Sequence, residues 1–78
     1  MHDVIIPKMG MSSNEVDVVA WHVAVGDTVA VGTALLDVES EKAVLTVESE
    51  VAGVVTAIVV PKGSETTIGS VVCRIRPA

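Results

Sequence analysis

The middle of this 78-residue chain carries the stretch VESEKAVL, residues 38–45. Residues that favour strands flank a short polar segment on both sides, so the stretch predicts a hairpin with a tight turn around Lys42. Lys42 is one of three lysines, the others being Lys8 and Lys62. A single amine at the tip of a hairpin suits covalent attachment of another group, because the strands hold it on a rigid base. A solvated turn lysine without such a role is the alternative.

The composition predicts one small all-β domain. Hydrophobic residues make up 50% of the chain, the mean hydropathy is +0.63, and valine dominates. β-branched side chains fit the pleated surface of a strand and lose rotamer freedom in a helix. Phe and Tyr are absent, and Trp21, the one aromatic residue, is expected in the core or at its edge. A core of this size is marginal, so its apolar packing has to be dense.

The charge balance excludes one class of partner and favours another. The net charge is −5, because ten carboxylates outnumber five Lys and Arg residues. A nucleic-acid-binding protein needs a basic face to meet phosphates, so we expect no nucleic-acid partner. An acidic surface favours a partner with a basic docking surface. No apolar run approaches the roughly 20 residues of a membrane helix, so no membrane partner is expected either.

Cysteine and histidine usage points to a reducing compartment and to no metal site. Cys73 is the single cysteine, which leaves no disulfide framework, and the first residues lack the pattern of a secretory signal. We therefore expect the cytoplasm, or the mitochondrial matrix in a eukaryote. His22 has no second His or Cys at a ligand spacing, so it is interpreted as an exposed strand histidine.

The chain is an internal repeat. Shifted by 37 positions, it lies over itself without a gap, with Gly26 on Gly63 and Gly32 on Gly69. Each half is expected to hold a strand, a glycine turn, a short strand and a longer one, and the halves to be related by a pseudo-two-fold axis. Residues 36–39 and 46–49 alternate polar and apolar, so we expect two antiparallel sheets packed face to face, as a flattened sandwich or barrel. Lys42 then lies at the junction of the halves.

Several motifs together carry a resemblance to a known family. They are IPKMGMS (residues 6–12), WHV followed by VGDTV (residues 21–29), ESEKA (residues 39–43) and ESEVAGVV (residues 48–55). Gly26 lies 16 residues before Lys42, and Gly53 lies 11 residues after it. Over nearly its whole length the chain resembles the lipoyl domains of the acyltransferase components of 2-oxo acid dehydrogenase complexes, within the biotinyl/lipoyl-attachment family.

The resemblance implies a fold, a domain extent and a set of site residues. It implies a flattened β-barrel or sandwich of two four-stranded antiparallel sheets, formed by residues 1–76, with residues 77–78 as the start of a Pro/Ala linker. Lys42 would carry lipoate covalently, and Glu41 and Ala43 beside it would be recognised by the modifying enzyme. Gly26, Gly53 and Gly63 are expected to be structural turn residues.

The implied function is that of a swinging-arm carrier, which shuttles acyl groups and reducing equivalents between the active sites of several partner enzymes. The domain would have no catalytic activity of its own. The partners would be a lipoate ligase or lipoyl transferase, a 2-oxo acid (or acetoin) dehydrogenase, the acyltransferase core and dihydrolipoamide dehydrogenase. The domain itself would be monomeric and part of a larger acyltransferase chain. Nothing in the sequence supplies a nucleophile with a general base, which disfavours a stand-alone enzyme.

Two alternatives stay open. The first is a biotinyl carrier domain of a carboxylase, although biotin carriers typically place methionines on both sides of the lysine. Here the neighbours are Glu41 and Ala43, which fits the lipoyl pattern. The second is an unmodified interaction module with the same fold, in which Lys42 is an ordinary turn residue.

Overall fold

Eight β-strands and no helix make up the part of the chain that the computed structural model describes, residues 1–7, 14–41 and 43–78. Within those residues, nothing helical is long and apolar enough to cross a membrane. In chain order the strands are β1 (His2–Ile5), β2 (Glu15–Trp21), β3 (Thr28–Val29), β4 (Ala34–Glu39), β5 (Val44–Glu48), β6 (Gly53–Ile58), β7 (Glu65–Thr67) and β8 (Val71–Pro77).

The strands form two four-stranded sheets, and every pairing is antiparallel. One sheet has the order β1-β8-β6-β3 and is called sheet A here; the other has the order β5-β4-β2-β7 and is called sheet B. The predicted all-β fold with two four-stranded antiparallel sheets is confirmed.

The core lies between the sheets and is built from aliphatic side chains. Alternate residues point inward, as in β2, where Val16 and Val18 are buried while Glu15 and Asp17 are exposed. Cys73 is part of the core, and burial raises the pKa of its thiol to about 11. The buried core residues are Val4, Ile6, Val16, Val18, Val29, Leu35, Leu36, Val38, Val47, Val55, Val72, Cys73 and Ile75.

Trp21 lies at the edge of this core, as predicted. It is half-buried against the core residues, and its indole Nε1 donates a hydrogen bond of 2.9 Å to the carbonyl oxygen of Val60. That bond satisfies the one polar group of the ring and joins the end of β2 to the segment that follows β6.

The repeat in the sequence is a repeat in the structure. The amide of Gly26 donates to the carbonyl oxygen of Val55 at 2.8 Å, and the amide of Gly63 donates to that of Val18 at 2.8 Å. In both sheets the two inner strands come from one half of the chain and the two outer strands from the other half. The halves are therefore interlocked rather than stacked side by side.

The four repeated glycines share one backbone conformation. Gly26, Gly32, Gly63 and Gly69 have φ angles of 97°, 89°, 87° and 88°. Each is the third residue of a turn closed by an amide-to-carbonyl bond of 3.0–3.2 Å from the fourth residue back to the first. A positive φ at the third position is that of a type II turn, in which glycine avoids the clash of a Cβ. The turns predicted at Gly26 and Gly63 are confirmed.

Gly53 differs from the prediction. It is the first residue of β6 and lies in no turn, so its assignment as a turn glycine is wrong. It pairs with Pro77 in β8, and a Cβ placed on Gly53 would overlap the carbonyl oxygen of Arg76. The reason for glycine here is the close approach of two backbones, not a special φ angle.

Candidate functional site

The candidate site is the hairpin formed by β4, residues 40–43 and β5, called the central hairpin below. Its strands pair from Ala34 with Glu48 up to Glu39 with Val44. The amide of Ser40 donates a 2.8 Å bond to the carbonyl oxygen of Ala43, which closes a four-residue turn. The predicted hairpin at this place in the sequence is confirmed.

The Ser40 side chain closes the same turn a second time. Its hydroxyl donates to the carbonyl oxygen of Ala43 at 3.1 Å and accepts from the amide of Ala43 at 3.3 Å. Glu41, the second residue of the turn, has a negative φ, like every other described non-glycine residue. The mirror-image hairpin turns, types I′ and II′, both need a positive φ at the second residue, so the turn is of neither type. The three hydrogen bonds between Ser40 and Ala43 hold the two ends of the turn together.

Lys42 itself lies outside the described residues, and the structure defines the frame around it. Glu41 and Ala43, the residues on either side, are both exposed. Residues Glu39, Ser40, Glu41, Ala43 and Val44 line an open hollow at the tip. This arrangement offers two carboxylates beside the predicted attachment point.

Asp37 joins three strands of sheet B on the outer face, below the turn. Its Oδ1 accepts a 2.7 Å hydrogen bond from the hydroxyl of Thr46 in β5, and its Oδ2 lies 3.1 Å from Nε2 of His22, just after β2. The hydrogen bonds from Thr46 and then from His22 lower the pKa of the Asp37 carboxyl. We call these three residues the Asp37 cluster.

Sequence reasoning missed the Asp37 cluster, although half of it could be found. Counting back from a turn at residues 40–43 places Asp37 opposite Thr46. His22 could not be placed in this way, because the register of β2 against β4 shifts between Val18 and Ala20. A bulge of this kind moves the following side chains to the opposite face. His22 is exposed, as predicted, with 43% of its side chain accessible, but it lies just after β2 and not within the strand.

An uninterrupted row of carboxylates crosses the same outer face. Asp17 pairs directly with Glu39 on one side and with Glu65 on the other. The charge of Glu15 and, to a smaller extent, burial and the charge of Asp17 raise the pKa of Glu65. Like charges directly opposite each other destabilise a sheet. Sheet B thus presents a strongly acidic face that reaches the last strand pair before the turn of the central hairpin, at Glu39.

The remaining predicted site residues lie away from the hairpin. Gly26 and Gly63 shape turns whose amides bind to the inner strands β6 and β2, and Gly53 lets β6 approach β8. They are part of the frame that supports the sheets. Only Glu41 and Ala43 flank the predicted attachment position directly.

A family model with the description "Biotin-requiring enzyme" matches residues 2–75 of the chain. Among solved structures, the chain is similar to the lipoyl domain of the 2-oxoglutarate dehydrogenase complex from Azotobacter vinelandii. The TM-score is 0.78 and the sequence identity 27%, over 95% of this chain and 94% of that one.

Curated relatives agree with this match. One is the dihydrolipoyllysine-residue acetyltransferase component of the pyruvate dehydrogenase complex of Corynebacterium glutamicum, 37% identical over 97% of this chain. Another is the corresponding component of the acetoin cleaving system of Bacillus subtilis, 33% identical over 96% of this chain. The chain spans 11% and 19% of the length of these two relatives. It belongs to the biotinyl/lipoyl-attachment family, and these relatives place it with the lipoyl domains.

Proposed function

We propose that this chain is a swinging-arm carrier domain that is lipoylated on Lys42. The observation that carries the proposal is the central hairpin: its turn is closed by the Ser40–Ala43 bonds, and both neighbours of Lys42 are exposed. An amine at such a tip is accessible to a modifying enzyme, and the paired strands below it form a rigid base.

Lipoate fits this frame. It would be held by an amide bond to the Lys42 amine, which removes the charge of the lysine. When bound, the dithiolane accepts and releases acyl groups and electrons. The described residues of the hairpin contribute position: Ser40 and Ala43 close the turn, and Glu41 gives the modifying enzyme a carboxylate to recognise.

The partners follow from the relatives, whose names refer to pyruvate dehydrogenase and acetoin cleavage. We infer that a lipoate ligase or lipoyl transferase modifies the chain. A 2-oxo acid or acetoin dehydrogenase would then load the arm, the acyltransferase core would unload it, and dihydrolipoamide dehydrogenase would reoxidise it. Tethering raises the concentration of the arm at each of these active sites, so the domain needs only weak contacts with each enzyme.

Biotin is the competing cofactor, because the matching family model is described by biotin. The two are separated by intact mass. The domain is incubated with a lipoate ligase, ATP and lipoic acid, and in parallel with a biotin ligase, ATP and biotin. We expect a single lipoyl addition, and its loss in Lys42→Arg.

Lys62→Arg is the matched control, because Lys62 lies in an exposed type II turn far along the chain from the hairpin. It should be modified like the unaltered domain. Addition of biotin alone would assign the chain to the carboxylases. No addition from either ligase would leave the unmodified interaction module as the correct interpretation.

A further inference from the structure

The pseudo-two-fold axis gives the Asp37 cluster an internal counterpart. The axis relates β4 to β8 and β5 to β1, so that Asp37 corresponds to Arg74 and Thr46 to Asp3. Both pairs are direct cross-strand neighbours. Arg74 Nε lies 3.3 Å from Asp3 Oδ1, where the other half has the 2.7 Å bond between Thr46 and Asp37.

The two positions differ in what lies above them. In sheet B the pair stands below the turn that connects β4 to β5, three residues from Ser40 and Ala43. In sheet A the corresponding strands, β8 and β1, lie far apart along the chain, and no turn joins them. Only the pair in sheet B can therefore affect how a hairpin tip is held.

The symmetry also fails at the third member of the cluster. His22 corresponds to Val59, which is 48% exposed and has no polar side-chain atom. A bulge in β2 precedes His22, and an equivalent bulge in β6 precedes Val59, so both side chains follow the same local geometry. The half with the hairpin has a polar contact to the neighbouring inner strand, and the other half has an aliphatic side chain.

The cluster acts on the edge strand of the hairpin, beside the backbone ladder and the core contact of Val47. Among the described strands, β5 lies at an edge of sheet B and pairs with β4 alone. Asp37 lies on β4 and contacts a residue on each side of it, Thr46 on the edge strand and His22 next to the inner strand β2. One carboxylate thus couples the edge strand of the hairpin to the centre of the sheet, and the 2.7 Å bond from Thr46 has the short length of a hydrogen bond to an ionised carboxylate.

We propose that Asp37, held between His22 and Thr46, is a positioning residue that fixes the orientation of the central hairpin and thereby the presentation of Lys42 to its modifying enzyme. This inference rests on the proposed function of Lys42. A hairpin that samples several orientations would present Lys42 correctly to the modifying enzyme for only a fraction of the time. The apparent KM for the domain would rise by the inverse of that fraction, while kcat would stay the same.

The test uses substitutions that keep the strand intact. Thr46→Val removes the hydroxyl and keeps the shape of a β-branched residue, and Thr46→Ser returns the hydroxyl. His22→Val gives the hairpin half the residue of its counterpart, Val59. Arg74→Gln is the control, since it breaks the symmetry-related pair in the half without the turn. Melting temperature, steady-state lipoylation by a lipoate ligase, and hydrogen exchange of the Ser40 amide are measured for all four.

We expect Thr46→Val to raise the KM of the ligase for the domain by about fivefold, with kcat unchanged and with faster exchange of the Ser40 amide. Thr46→Ser should restore both, His22→Val should act in the same direction, and Arg74→Gln should change neither. A KM that follows the melting temperature in all variants, Arg74→Gln included, would reduce the cluster to a stabilising contact and overturn the inference. If the unaltered domain is not lipoylated at all, the proposed function and this inference fail together. If it is lipoylated, and Thr46→Val has the same KM and the same Ser40 exchange as the unaltered domain, only this inference fails.

Discussion

Gly53 shows how one residue can be required by a neighbouring backbone. A Cβ at this position would overlap the carbonyl oxygen of Arg76, and the overlap involves main chain, which cannot move aside as a side chain does. We expect Gly53→Ala to lower the free energy of unfolding by about 2 kcal/mol or more, as overpacking does. Urea denaturation at neutral pH measures this value.

Gly26→Ala is the comparison for that experiment. A Cβ at Gly26 meets no atom within 4 Å, so its cost comes only from the φ angle of 97°. That cost is about 1 kcal/mol. If both variants lost the same stability, the close approach of β6 and β8 would not be the reason for glycine at position 53.

Single residues also mark how far sequence reasoning reaches. The turn glycines were predictable, because a positive φ is a local requirement that a repeated glycine reveals. Gly53 has no such local signal, because its constraint comes from Arg76, which lies far away in sequence. The contact of His22 with Asp37 has no local signal either, because it depends on a bulge in β2.

The acidic row belongs to the scale of neighbouring strands, and it has a measurable cost. Glu65 on β7 faces Asp17 on β2, and its pKa is raised above the ordinary value, chiefly by the charge of Glu15. A carboxyl whose pKa is higher in the folded than in the unfolded state binds its proton more tightly when folded. Stability therefore falls as the pH rises through the unfolded and then the folded pKa, and the loss is complete at neutral pH.

We accordingly expect Glu65→Gln to raise the melting temperature at pH 7. The gain should shrink as the pH falls below the ordinary glutamate value of 4.5, where the carboxyl is protonated in both states. Thermal unfolding followed by circular dichroism at pH 7 and at pH 3.5 makes the comparison. A gain of equal size at both pH values would show that the charge of Glu65 is not its source.

Among the elements, the strands, glycine turns and short strands of each half were predicted, whereas the pairing of the short strands with the other half was not. The central hairpin follows from strand residues around a polar turn, and its register then follows by counting. The exchange of outer strands between the halves has no such signal. β3 and β7 are only two and three residues long, and their partners lie in the other half of the chain.

That exchange determines how the whole molecule folds. The outer strands of each sheet come from the half that does not supply its inner strands, so neither half alone can complete a sheet. We expect a peptide of residues 1–40 and a peptide of residues 43–78 each to lack cooperative thermal unfolding. Their mixture should regain the strand signal in circular dichroism, because the missing partners are then supplied. A sheet formed by either peptide alone would contradict the interlocked arrangement.

The repeat, the glycine spacing and the hairpin together predict Lys42 as the attachment residue, and no property of the lysine itself does so. The repeat places it at the junction of two halves, which is a property of the whole chain. The proposed positioning role of Asp37 belongs to the same scale, since the corresponding pair in the other half joins two strands that no turn connects. The shift of 37 aligns His22 with Val59, but the sequence alone does not predict that His22 contacts Asp37.

The direction of β5 determines where a longer chain, like those of the relatives, would leave the domain. The strand leads from the hairpin to residues 49–52, and the amide of Ala78 binds the carbonyl oxygen of Ala52 at 2.9 Å. A chain that continued past Ala78 would thus depart at the end remote from Lys42, in a domain whose longest dimension is 36 Å. The folded domain would then act as a rigid spacer between the continuing chain and the lipoyl arm, and its length would add to the distance that the arm can reach.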